Sequence, residues 1–173
     1  MARQRQNRRM ISFASTKAAA RLTLGLLALA ACAASGDRFK YVANFERDHV
    51  TLSVRIEWRA DGDKRGLLRM DGGGLGGIMI FRAAEWTAVV ARAAEAMTAA
   101  GAGQAQKFAE IEDTGGGRLR IEAASRDGKP ILRFTRLDNP GGKYPDVVIE
   151  LPAADFPELK RALEEVAKEL ARK

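Results

Sequence analysis

The sequence predicts an α+β fold of two ββββα repeats, with antiparallel sheets each covered by a helix. Three observations predict it. Val50, Leu52, Val54, Ile56 and Trp58 alternate with Thr51, Ser53, Arg55, Glu57 and Arg59, the period of two that marks a half-buried strand. Trp86, Val89, Val90, Ala93, Ala94 and Met97 recur at helical spacing, as do Phe156, Leu159, Leu163, Val166 and Leu170. Finally, Phe81-Arg82-Ala83-Ala84-Glu85-Trp86 aligns without a gap to Leu151-Pro152-Ala153-Ala154-Asp155-Phe156, and the match continues through Val89 with Leu159 and Ala93 with Leu163.

In the first half, predicted as residues 38–100, aromatic-rich Phe39–Phe45 is the first strand. The alternating run from Val50 is the second, and Asp61-Gly62-Asp63 turns the chain into Gly66–Met70. A glycine-rich loop leads to Ile78–Phe81, and the helix that follows turns Glu85, Arg92 and Glu95 outward. Ala99–Gly103 is a flexible link. The second half, residues 106–173, repeats the plan with strands at Phe108–Ile111, Arg118–Glu122, Ile131–Phe134 and Val147–Leu151. Asp127-Gly128 signals a tight turn and Asn139-Pro140-Gly141-Gly142 a break. For the last helix, Asp155 and Glu158 have capping-box spacing, and Glu164 with Lys168 forms an outward i,i+4 pair. Each half then has a sheet with one apolar face and a helix to cover it, and both pack into one domain.

Residues 1–36 differ in kind. They carry six basic residues and no acidic one, so the remaining chain holds 23 basic against 22 acidic residues although the whole chain is +7. Bulk charge therefore gives no argument for nucleic acid in the folded part. Arg3, Arg5, Arg8, Arg9, Lys17 and Arg21 precede the apolar run Leu22–Cys32, the order of an export leader, and a start at Met10 gives it a conventional length. The apolar stretch Leu22–Ala34 is too short for an ordinary transmembrane helix. Leu29-Ala30-Ala31-Cys32 resembles the bacterial lipobox, which implies a cleavable leader, acyl chains on Cys32 and a tether at Ala33–Gly36. Each buried methylene contributes about 0.8 kcal/mol, so several chains together hold a protein on a membrane. An Arg- and Ser-containing organelle presequence and a plain alanine-rich helix are the competing readings of the same segment. Cys32 is the only cysteine, so the remaining chain can form no internal disulfide or thiolate metal site.

The duplicated ββββα plan is similar to that of the Pur-alpha and Whirly families of single-strand nucleic-acid-binding proteins. Lys64-Arg65-Gly66-Leu67-Leu68-Arg69-Met70 resembles the Pur-repeat strand with its basic-Gly-basic-aromatic-Leu pattern, although Leu67 and Leu68 stand where that family often has Arg and Phe. Leu151–Leu163 resembles its strand-to-helix junction. The resemblance implies that Arg55, Arg59, Arg69, Arg118, Arg120 and Arg133 face a nucleic-acid backbone and that Trp58 or Tyr41 stacks a base, worth roughly 1–3 kcal/mol. The residues alone support a plainer account: Trp58 shares parity with Val54 and Ile56, and the arginines are interleaved with Glu57, Glu122 and Asp127 as a solvated mixed-charge face.

Other motifs fail on context. Gly72-x-Gly74-x-x-Gly77 leads into a strand, whereas a dinucleotide fingerprint must open a helix. Asp61-Gly62-Asp63-Lys64-Arg65-Gly66 begins like a calcium loop but has Arg65 at its fifth position and Gly72 at its twelfth. His49, the sole histidine, reads as a turn residue beside Asp48, and Ser35, Ser53 and Ser125 sit in no nucleophile elbow. No catalytic residue, metal ligand or cofactor is expected. The first functional expectation is a non-enzymatic, lipid-anchored protein of the bacterial envelope. It binds the membrane through Cys32 and holds an unknown protein or ligand, with a homodimer among the candidate assemblies. The alternative is a single-stranded DNA- or RNA-binding protein, imported into a mitochondrion or plastid.

Overall fold

The computed structural model describes residues 36–72, 75–137 and 146–172. Cys32, the lipobox and the break at Asn139–Gly142 lie outside them. Residues 37–173 form one compact unit. The architecture is α+β, with two antiparallel sheets and two α-helices.

The first sheet is a meander of β1 (Arg38–Arg47), β2 (Val50–Trp58), β3 (Lys64–Gly72) and β4 (Leu75–Phe81), in that spatial order. Asp48 and His49, at φ 49° and 65°, make the two-residue β1–β2 turn, so His49 is a turn residue. Both residues occupy the left-handed region, as a hairpin twisting with its strands requires. The second sheet runs β5 (Gln106–Lys107), β7 (Arg118–Arg126), β8 (Lys129–Leu137) and β9 (Val147–Pro152), with β6 (Ile111–Glu112) also paired to β7. Asp127 and Gly128 turn β7 into β8 at φ 52° and 73°. The expected strand at Phe108–Ile111 is corrected: residues 108–110 leave the ladder between β5 and β6, where Phe108 tucks its ring against the core.

Helix α1 is Ala83–Gly101 and α2 is Phe156–Leu170, entered through a 3-10 turn at Ala153–Asp155. Their covering differs from expectation. α1 lies mainly on β7 and β8 of the second sheet, and α2 lies on β1, β2 and β3 of the first. Each helix leaves an edge strand, β4 or β9, so it starts at the seam between the sheets and can cross to the neighbour. Trp86 marks that seam. It is fully buried, meets Phe81 edge-on at 5.9 Å and donates its indole N–H to the Leu163 carbonyl of α2 at 3.0 Å. A Cβ on Gly66 of β3 would fall inside its ring, so glycine is required there. One continuous core joins Leu52, Val54, Ile56 and Leu68 to Ile121, Leu132 and Phe134 through Trp86 and Leu163.

Two terminal devices also differ from expectation. Asp155 makes no side-chain cap at α2; both its carboxylate oxygens accept from Arg47, at 2.7 and 2.6 Å. The Glu that caps a helix in this way is Glu85, which accepts the Arg82 N–H at the start of α1 at 2.5 Å. Glu164 pairs with Lys160, one turn before it, at 3.9 Å, so the expected Glu164–Lys168 partnership is replaced. The β4 edge is closed by the turn after β6: Asp113 accepts N–H groups of Ile80, Gly115 and Gly117, and the Thr114 N–H donates to Ile80 O at 2.8 Å.

Candidate interaction face

The outer face of the first sheet is built by a bulge. The ladder pairs Ala43 with Val54 and Phe45 with Leu52, both inward, and an unbroken ladder would put Tyr41 and Phe39 inward as well. Val42 is inserted between Tyr41 and Ala43, and one extra residue reverses the facing of everything before it. Phe39 and Tyr41 therefore point outward, 54% and 61% exposed. Lys40 takes the inward parity and pairs with Glu165 of α2 at 2.6 Å. Full burial of such side chains is ordinarily worth about 1.5–3 kcal/mol each, so the bulge forgoes apolar burial at two positions.

Register fixes what surrounds the two rings. One row across the face reads Tyr41, Arg55, Leu67 and Ile80; the next reads Asn44, Ser53, Arg69 and Ile78; Phe39 opens a third with Glu57 and Arg65. The Arg55 guanidinium lies 4.0 Å from the Tyr41 ring centroid, a cation–π contact across the β1–β2 pair. Ser53 donates to Asn44 Oδ1 at 2.7 Å. Leu67 faces outward but is buried among these neighbours, while Ile78 is exposed. Arg69 is held by Asp71 on its own strand and Arg65 by Asp63 at 2.8 Å. The hydrogen bond from Arg65 holds the Asp63 carboxyl below the usual range, outweighing its desolvation. The face carries Arg55, Arg65 and Arg69 against Glu46, Glu57 and Asp71, and is neutral.

The outer face of the second sheet is laced by carboxylates. Glu110 accepts from both Arg118, at 2.8 Å, and Arg120. Glu150 pairs with Arg133 at 2.7 Å and with Arg126 at 3.1 Å, and Glu122 lies 3.6 Å from Lys107. The Arg120 hydrogen bond holds Glu110 below the usual carboxylate range; desolvation opposes it and the Arg118 charge assists.

The six arginines implied by the family resemblance are thus divided between the sheets. Arg55 and Arg69 are on the first face, Arg59 follows β2 beside Asp61 at 3.8 Å, and Arg118, Arg120 and Arg133 are on the second. Five have a carboxylate partner; Arg55 has a ring instead. Trp58 faces inward, packed on the core with its indole N–H donating to Glu169 at 3.4 Å, and Tyr41 is the outward aromatic. Phe39 joins it, a residue that alternation assigns to the wrong face. No signal in the alternation marks it, because Lys40 between two aromatics is what an unbroken strand with both rings inward would show. Among the described residues, no group of three His, Cys, Asp or Glu could hold a metal ion, and no helix is long and apolar enough to cross a membrane. Compared with known proteins, the chain matches no family model and no curated protein.

Proposed function

We propose that the chain is a non-enzymatic, lipid-anchored bacterial envelope protein whose folded domain offers the outer face of its first sheet to a partner. The observation that carries the binding half is the outward turn of Phe39 and Tyr41 at the Val42 bulge, with Arg55 braced on the Tyr41 ring. Bulges commonly re-aim side chains where a protein meets something else, and aromatic residues with arginine dominate interface energetics. The anchor rests on Leu29-Ala30-Ala31-Cys32 behind a basic, apolar leader. The sequence match of Phe81–Trp86 with Leu151–Phe156, together with the shared order of strands then helix, supports a duplicated ββββα unit of Pur-alpha or Whirly type as the scaffold.

Single-stranded nucleic-acid binding is the second reading, favoured by the Arg55–Tyr41 stack, which has the chemistry of a base platform. The neutrality of the first face and the engagement of the other five arginines weigh against it. Radiolabelled palmitate distinguishes the readings in the producing bacterium. The wild-type chain takes up label and Cys32→Ala does not; a wild-type chain that takes up none overturns the anchor.

A further inference from the structure

We infer that the occupant of the first face is an uncharged glycan strand, the β-1,4-linked N-acetylated chain that an envelope protein meets. This rests on the reading of that face as a contact surface. Three features select the chemistry. The face bears equal numbers of cationic and anionic side chains, and its arginines Arg65 and Arg69 are already answered by Asp63 and Asp71. It therefore offers a polyanion no excess of positive charge, and no counterion release to drive association. Phe39 and Tyr41 stand two residues apart on one face of β1, about 7 Å apart along a strand that rises about 3.4 Å per residue. Two rings at that spacing suit the apolar faces of successive sugars, which stack on aromatic rings through their C–H bonds. The Arg55 cation lying on Tyr41 holds that ring before any ligand arrives, which lowers the ordering cost of binding.

The third feature is the polar surround. Asn44, Ser53, Arg55 and Glu57 line the rows beside the two rings and supply both donors and acceptors, the pairing that hydroxyl and acetamido groups need.

The test is a binding titration of the full chain in nonionic detergent, with a hexamer of β-1,4-linked N-acetylglucosamine as probe and a single-stranded oligothymidine as counter-probe. The hexamer is expected to bind, with affinity changing less than about twofold between about 50 and 200 mM salt. The Phe39→Ala/Tyr41→Ala variant, checked for an unchanged unfolding midpoint, is expected to bind at least about tenfold more weakly. A hexamer that does not bind, or that binds wild type and variant alike, overturns the proposal. If oligothymidine binds instead, weakens with salt and is lost in the variant, the glycan falls while the face stands as a contact surface. If the variant alters binding of neither probe, both the glycan and this use of the face are overturned.

Discussion

On the first sheet the arginines are answered within one strand or its turn, Arg69 by Asp71 and Arg65 by Asp63; on the second, Glu110 and Glu150 each gather two arginines, and Glu150 reaches across strands. The first face is neutral, whereas the second carries Lys107, Arg118, Arg120, Arg126 and Arg133 against Glu110, Glu122 and Glu150. The faces differ also in where the bonds run. Short links along β3 leave the β1–β2 rows open, and two aromatic rings occupy them. Links from Glu110 to β7, and from Glu150 of β9 to β7 and β8, cover the second face and leave its arginines engaged. The direction of pairing thus decides whether a mixed-charge surface stays open or is laced shut.

The sharpest way to break the comparison is through what the faces share. Trp86 joins both sheets and α2 in one core, so Trp86→Ala is expected to cost about 3–5 kcal/mol, and both sheets should unfold in a single transition by urea denaturation. Separate transitions for the two sheets would show that the shared core does not couple them. Next in size is Asp113, whose loss leaves the N–H groups of Ile80, Gly115 and Gly117 without their acceptor. Asp113→Ala is expected to cost about 1–3 kcal/mol, read from the urea midpoint.

Deleting Val42 removes the bulge itself. Tyr41 and Phe39 should then return to the inward parity, the Arg55 stack should be lost, and the glycan hexamer should cease to bind. Continued binding by a folded deletion variant would remove the bulge from the account. Smaller still is the opening of the second face. Glu110→Gln releases Arg118 and Arg120 from their shared acceptor and is expected to cost about 0.5–1 kcal/mol, with weak, salt-sensitive oligothymidine binding gained. The same residue gives the pH dependence. Its folded pKa lies below the ordinary 4.5, so its contribution is present above that value and lost as pH falls through the folded value. The stability gap between wild type and Glu110→Gln should accordingly close on acidification below pH 4.5.

The α+β class and the turns at Asp48-His49 and Asp127-Gly128 were legible because alternation, helical spacing and turn chemistry are local. The exchange of helices was not, since which sheet a helix covers depends on where its edge strand ends in space. Asp155 had the right spacing for a cap, but Arg47, distant in sequence, claimed its carboxylate. The candidate face was hidden by the bulge. Phe39, Tyr41, Ala43 and Phe45 alternate as one apolar set, and a single inserted residue, invisible to alternation, splits that set between core and surface. Leu67 shows the converse: outward by register and yet buried, because arginine stems and Ile80 stand around it.

The most direct measurement is an amide chemical-shift map of the full chain titrated with the N-acetylglucosamine hexamer. Shifts are expected at Phe39, Tyr41, Asn44, Ser53 and Arg55, with Arg118, Arg120 and Arg133 unmoved. Shifts concentrated on β7 and β8, with β1 and β2 silent, would overturn the assignment of the first face as the glycan contact.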